Sequence, residues 1–505
     1  MNKLKILYVA AEVYPYAGVG GLGQVAYFLT KQLKKQGSDV RIMMPKYGSI
    51  DEETYPMEML YEGVKIPTES GREVICNIKE YKDPKDKDSP IVYFLENMEF
   101  YEKRSNVYGY MDDDIRFLLL SKGVIEFLKK SDWIPDVINC ADWHTGHIPN
   151  ILKSDYSKDK KLRNIATVFS IHNIMHQGMI DHRNATDLDF DNGKDDIADL
   201  FDPKLKKQNF VRRAIIYSDI VTTVSETYSR EILTEEYGEG LEHLLREVRT
   251  KLVGILNGID YTYMNPETDT NIIANYNSKT FIRRQINKED LQKEFNLEVC
   301  NKPVVGMVTR LDNQKGLDLV MDIIETAIKE LNIQFIIIGG GDSKYIRYFS
   351  DLEREYPKVV GTHLMMDFTL PKKVFSGADL VLLPSKFEPS GITQMEAMRY
   401  GCIPVARAVG GLSDSIENFD MISKKGNGFL FHEYNPYALM MALTRAIENY
   451  KNEEIWKEIV QSAMEKDFSW EQSSLKYIDV YRRAINRHNG KEETKEDVIY
   501  HMYML

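Results

Sequence analysis

Apolar residues run almost unbroken through "KILYVAA", positions 5–11, the pattern of a strand buried in a sheet. Four glycines follow within six positions, Gly18, Gly20, Gly21 and Gly23. Then "VAYFLTKQLKKQG" spaces its apolar residues at helical intervals and reaches a stop signal at Gly37. "DVRIMMP" reads as the next strand. Strand, glycine turn, helix and strand make a βαβ unit, and such units build parallel sheets. The alternation continues through a helix at "IRFLLLSKGVIEFLKK" and strands at "PDVINCAD", "NIATVFSIHN" and "DIVTTVS".

The same alternation starts again in the second half of the chain. "PVVGMVTRL" and "QFIIIGGGD" are apolar strands flanking the helix "GLDLVMDIIETAIKE". "LVLLPS", a helix across "TQMEAMRYG", and "IPVARAVGG" complete the pattern. The chain is therefore expected to be α/β, with two doubly wound domains dividing near "KLVGILNGID". The expected spans are 1–252 and 253–466. A helical segment, 467–488, would return to the first domain, leaving a tail, 489–505, with no assigned role. Ligands of doubly wound sheets bind beyond the carboxyl ends of the strands, where strand order reverses. With two such domains, the expected site is the cleft between them.

Composition narrows the class. A length of 505 residues exceeds one ordinary core and fits two domains. The formal net charge of -12 argues against a nucleic-acid partner, which calls for a basic surface. A few local cations can still hold an anionic small ligand. Cys76, Cys140, Cys300 and Cys402 are far apart and form no C-x-x-C pair, so they read as reduced thiols in a cytoplasmic protein. The opening residues imitate a leader peptide faintly, but the apolar run is short and Glu12 interrupts it, so a first strand is expected. No stretch reaches the roughly 20 apolar residues of a membrane span.

Several short stretches carry chemistry. The glycine turn lacks the acidic partner of a dinucleotide fingerprint and suits a loop whose N–H groups face an anion or sugar at a helix start; a tight structural turn fits it as well. "TRLDNQKG" places Arg310 and Lys315 at the end of an apolar strand, an arrangement suited to a diphosphate. Alone it reads more readily as a solvated charged loop. In "SKFEPSGITQMEAMRYG", Glu388 lies between a strand and Pro389, and Ser390, Gly391, Ile392 and Thr393 open a helix whose free N–H groups can meet a phosphate. Glu396, eight positions after Glu388, can accept both hydroxyls of a ribose or be a surface acid. "CADWHTGHIP" puts His144 at a strand end, as a catalytic or a structural histidine.

Together these stretches resemble the bacterial glycogen synthases and plant starch synthases, retaining glycosyltransferases (glycosyltransferase family 5) with two Rossmann-like domains in the GT-B architecture. The resemblance runs from "AAEVYPYAGVGGLGQV" to "FSWEQSSLKYIDVYRRA" through "DWHT", "SIHNIMHQG", "LNGID", "TRLDNQKGLDL" and "EPSGITQMEAMRYG". It implies a nucleoside-diphosphoglucose donor, ADP-glucose or UDP-glucose, on the second domain and an α-1,4-glucan acceptor on the first. Arg310 and Lys315 would neutralise the diphosphate, Glu388 would hold glucosyl hydroxyls, and His144 would contact glucose near the reacting carbon. Gly20, Gly21, Asn257, Ser390, Gly391, Ile392, Thr393 and Glu396 would line the donor site. Neither a metal ion nor a cofactor is implied. The sequence departs from the family pattern in having Gly18 where the family has a lysine, Gln24 where it has an acid, and Met366 near its base-stacking tyrosine. Glu396 instead completes an E-x7-E pattern seen in other GT-B enzymes. The alternatives are a GT-B transferase with another donor or acceptor and a non-catalytic glucan-binding homologue.

Overall fold

The structure, a computed structural model, describes residues 3–491 apart from 69–70, 180–181, 187–189 and 368. Most of the tail 489–505 lies outside the described residues. The chain divides into two compact units, residues 1–258 with 470–505, and residues 259–469.

The first unit is built on nine strands: β1 (Lys5–Val9), β2 (Asp39–Pro45), β3 (Glu58–Pro67), β4 (Glu73–Tyr81), β5 (Ile91–Glu96), β6 (Val137–Ala141), β7 (Ala166–Ile171), β8 (Ile220–Thr223) and β9 (Leu252–Gly254). Their order is β3-β4-β5-β2-β1-β6-β7-β8-β9. From β5 to β9 every pairing is parallel, whereas β3 and β4 are antiparallel additions at one edge. The continuous apolar runs form the parallel strands, as covering both faces requires. The β3–β4 hairpin is half-solvated and its charges interrupt the apolar pattern, so periodicity passes over it. Strand order reverses between β1 and β6.

The helix Gly21–Lys35 buries Leu22, Val25, Ala26, Leu29 and Leu33 on one stripe. Gly37, at φ +96°, ends it, with the Ser38 N–H donating back to the Leu33 carbonyl at 3.1 Å. The terminal helix Trp470–His488 packs against Gly21–Lys35, with Tyr477 and Tyr481 buried. The Tyr481 hydroxyl donates to Asn139 Oδ1 on β6 at 3.1 Å. The boundary expected after residue 252 falls inside β9, which pairs with β8; the units divide instead after Gly258.

The second unit carries β10 (Val304–Val308), β11 (Gln334–Ile338), β12 (Val360–His363), β13 (Leu380–Leu383), β14 (Ile403–Arg407) and β15 (Phe429–Phe431). They form an all-parallel sheet in the order β12-β11-β10-β13-β14-β15. This is the doubly wound order, reversing between β10 and β13. Among the described residues, no helix is long and apolar enough to cross a membrane.

The end of the helix Trp470–His488 is anchored electrostatically. His488 sits with Nδ1 3.1 Å from Asp219 Oδ2 and Nε2 2.8 Å from the Arg163 carbonyl oxygen, and Lys153 pairs with the other Asp219 oxygen. The Asp219 contact raises the histidine pKa above its ordinary value, against the opposing effect of burial. A raised histidine pKa adds stability that is complete below the unfolded-state value and fades as pH climbs through the folded-state value. His488→Gln is therefore expected to melt well below the parent protein near about pH 5.5, with the gap narrowing towards about pH 9. Melting curves across that range test this; a constant gap means that packing alone holds the ring.

Candidate active site

In the first unit, the carboxyl ends of β1, β6 and β7 deliver a group of buried polar side chains. The chain leaves β1 through Ala10 and Ala11 to Glu12, which is 3% exposed. Its Oε2 accepts the N–H groups of Val19 and, at 3.1 Å, Gly20, so the glycine turn is wrapped around an internal carboxylate. The turn was expected to aim its N–H groups at a ligand. Two of them, including that of Gly20, are already engaged. Gly18, Gly20 and Gly21 nevertheless lie exposed as bare backbone, beside the exposed side chain of Val19.

At the end of β6, Asp142 adopts φ +61°, a strained conformation for a residue with a side chain, and its N–H donates to the Ser170 carbonyl on β7 at 2.8 Å. Burial pushes its carboxyl pKa up to about 8. Two residues on, His144 is 4% exposed and enclosed by rings. Its ring centroid is 4.7 Å from Tyr108, stacked, and 4.6 Å and 4.1 Å from Phe117 and Trp143. Burial lowers its pKa well below the ordinary value, so the imidazole is neutral. His172, after β7, is held down to about 4 by burial. Asp142 Oδ1, His144 Nδ1, His172 Nε2 and Asn257 Oδ1 are buried atoms without a hydrogen-bond partner among the described residues. Buried polar atoms are normally satisfied. Three of these four lie at the carboxyl edge by the β1/β6 reversal, and Asn257 follows β9. Such a set offers neutral donors and acceptors to hydroxyl groups.

In the second unit, the loops after β10 and β13 are stitched together. Gln314 Nε2 donates to the Phe387 carbonyl at 3.2 Å, and the Lys386 N–H donates to the Gln314 carbonyl at 2.7 Å. Gly316, at φ +67°, permits this approach, since a Cβ there would lie 2.0 Å from the Pro384 carbonyl oxygen. Lys315 Nζ and Glu388 Oε2 then form an ion pair at 2.7 Å, with side chains 17% and 12% exposed. Ser385 Oγ donates to the same carboxylate oxygen at 2.9 Å. Arg310 is exposed, with Asp312 at 3.4 Å and Gln314 at 3.3 Å as its polar partners among the described residues. The sequence reading gave Lys315 and Glu388 separate tasks; the fold makes them partners.

Ser390 is buried, its hydroxyl without a partner among the described residues, and Gly391 takes φ +61°. Ile392 and Thr393 are half-buried, at the start of the helix Thr393–Arg399, whose N-terminus has no side-chain cap. Gln394 Nε2 ties this turn by donating to the Ser390 and Gly391 carbonyls at 3.1 and 2.7 Å. Gly411 packs so closely that a Cβ would meet the Ser390 carbonyl oxygen at 1.8 Å. Glu396 follows half-buried, and desolvation pushes its carboxyl pKa up to about 7, against the pull of Lys372.

His144, Asn257, Gly20 and Gly21 thus belong to the first unit, and Arg310, Lys315, Glu388, Ser390, Gly391, Ile392, Thr393 and Glu396 to the second. Met366, the residue near the family's stacking tyrosine, is exposed in the second unit. Sequence reasoning missed Glu12, Tyr108, Asp142, His172 and Ser385 as site components. Only Glu12 left a signal, as a single acid interrupting an apolar run. Among the described residues, no group of three or more His, Cys, Asp or Glu is placed to hold a metal ion.

Two doubly wound units, each with polar groups converging where its strand order reverses, define a two-unit α/β ligand-binding enzyme architecture. Comparison with known proteins specifies it. Residues 5–247 match the starch synthase catalytic domain and residues 288–462 match glycosyl transferases group 1. A glycogen synthase from Desulforamulus reducens is 39% identical over 486 residues, covering 95% of this chain and 99% of that protein. One from Geobacillus stearothermophilus is 38% identical over 485 residues, covering 96% and 98%. The catalytic domain of starch synthase IV from Arabidopsis thaliana, solved with ADP and acarbose bound, superposes with a TM-score of 0.84 at 34% identity, covering 96% of this chain and 100% of that one. Sucrose-phosphate synthase from Thermosynechococcus elongatus shares the fold, with a TM-score of 0.58 at 16% identity. The chain belongs to the glycogen and starch synthase family and is a glycosyltransferase of the GT-B fold.

Two glycines separate a folding requirement from a ligand requirement. At Gly20 the backbone is extended and a Cβ meets nothing within 4 Å, whereas at Gly316 it collides with backbone. Gly316→Ala is expected to lose about 1–3 kcal/mol of stability in denaturant melts. Gly20→Ala should melt like the parent while weakening donor binding. Unchanged donor kinetics in Gly20→Ala would show that nothing approaches this turn.

Proposed function

We propose that this protein transfers glucose from ADP-glucose or UDP-glucose to the non-reducing end of an α-1,4-glucan, with retention of anomeric configuration. The observation that carries this reading is the Lys315–Glu388 pair, with Arg310 beside it, at the β10/β13 reversal. In the reaction, the bond from glucosyl C1 to the diphosphate oxygen breaks and one from C1 to an acceptor hydroxyl oxygen forms. The hydroxyl proton leaves with the departing diphosphate or to solvent. Charge builds on the diphosphate as the bond breaks, and cations placed beside it, Lys315 already held by Glu388 and Arg310 nearby, would lower the barrier.

Arg310, more exposed than Lys315, would meet the distal phosphate. Lys315, already oriented by Glu388, would meet the leaving oxygen, while the other Glu388 oxygen would accept a glucosyl hydroxyl. The Ser390–Thr393 turn would hold phosphate and sugar oxygens through N–H groups and the unpartnered Ser390 hydroxyl. Glu396, able to gain a proton near neutral pH, would take the ribose hydroxyls. In the first unit, neutral His144 would accept from or donate to glucose near C1. Its aromatic enclosure excludes water that would otherwise hydrolyse an oxocarbenium-like centre. Gly20, Gly21 and Asn257 would complete the donor's surroundings.

The direct test supplies purified protein with glycogen and either sugar nucleotide and measures nucleoside diphosphate released. Glucan-dependent release names the base; release without glucan dependence indicates hydrolysis or another acceptor; none with either donor refutes the reading. Glu388→Gln and Lys315→Ala are each expected to cut turnover by about 10²–10³-fold, the scale of one lost electrostatic contact, with melting temperatures kept. His144→Ala should abolish transfer in a folded protein.

A further inference from the structure

Glu12 is a buried carboxylate with no ion-pair partner among the described residues, an expensive arrangement to keep. It holds the two residues immediately before the helix Gly21–Lys35. A helix start normally satisfies this N–H locally, through an acidic or amide side chain three positions into the helix. That position here is Gly23, which has no side chain to offer, and a Cβ on it would lie 3.5 Å from Glu12 Oε2 and 3.4 Å from the Ala17 carbonyl oxygen. The capping residue itself, Gly20, has none either. The task has moved eight residues upstream, to the end of β1, and the outer surface of the turn is left free of side chains apart from Val19.

The same carboxylate also neighbours Tyr108, whose ring packs on the histidine. The Tyr108 hydroxyl lies beside Glu12, short of a closed hydrogen bond, and the Tyr108 ring stacks on His144. One group therefore touches both the glycine turn and the box around His144.

We infer that Glu12 is a positioning residue of the candidate active site: it caps the glycine turn from beneath, so that bare backbone faces the donor, and through Tyr108 it sets the box that holds His144. Its effect on catalysis rests on the proposed glucosyl transfer; its hold on the turn does not.

The experiment combines backbone hydrogen exchange at residues 13–27 of the full-length protein with donor kinetics, for Glu12→Ala and Glu12→Gln. A glutamine oxygen can accept both N–H groups, so Glu12→Gln is expected to keep protection and most of the activity. Glu12→Ala is expected to exchange at Val19 and Gly20 at least tenfold faster, raise donor KM at least tenfold and lower kcat, while melting cooperatively. Should Glu12→Ala fail to fold, Glu12→Asp, one methylene too short to reach both groups, is expected to show the same pattern. Unchanged exchange in the truncated variant would overturn the hold on the turn. Faster exchange with unchanged KM and kcat would overturn its bearing on catalysis. If the unmodified protein releases no nucleoside diphosphate, the transferase reading fails, and exchange alone then decides whether Glu12 holds the turn.

Discussion

The architecture depends on the reversal of strand order in a parallel sheet. Successive parallel strands are joined by right-handed crossovers, so growing the sheet in two directions from one strand sends consecutive helices to opposite faces. At the reversal, the loops leaving two neighbouring strands diverge, and the carboxyl edge between them is uncovered. In this chain the reversal occurs twice, at β1/β6 and β10/β13. Glu12, Asp142 and His144 stand at the first, and Arg310, Lys315, Ser385 and Glu388 at the second.

What occupies each edge differs in kind. The second unit concentrates full charges that are already organised: Glu388 is held by Lys315 and Ser385 before any ligand arrives. Such preorganisation suits a step in which negative charge develops on a leaving group. Apart from the Glu12 carboxylate, which is turned to the glycine-turn N–H groups, the first unit collects groups that burial keeps neutral, notably His144 and His172. Neutral groups suit hydroxyl-rich ligands, which need hydrogen bonds and no counter-charge. The division between an ionic edge and a neutral edge follows from burial and charge pairing in each unit separately.

Glycine carries the geometry at both edges by two routes. Gly316, Gly410 and Gly411 are glycines because other backbone presses on them. Gly20 is under no such pressure, and its lack of a side chain is unexplained by the fold. Gly316 brings the loops after β10 and β13 together, so that Lys315 reaches Glu388, and Gly410 and Gly411 let the segment after β14 press on Glu388 and Ser390. The second kind leaves open backbone at the surface of the first unit.

Much of this was legible in the chain itself. Unbroken apolar runs such as "KILYVAA" and "QFIIIGGGD" specify parallel strands because only a strand covered on both faces tolerates them, and their alternation with helical patterns specifies doubly wound units. The residues at strand ends, Arg310, Lys315, Glu388 and His144, were visible for the same reason. The β3–β4 hairpin was not, because its half-solvated strands carry charges that mask the alternation. Nor was the Lys315–Glu388 pair, which joins residues 73 positions apart, or the capping of the glycine turn by Glu12. Periodicity reports which way a side chain faces within its own element. Which polar groups meet across elements depends on strand order and close backbone approach, and only the tertiary structure decides those.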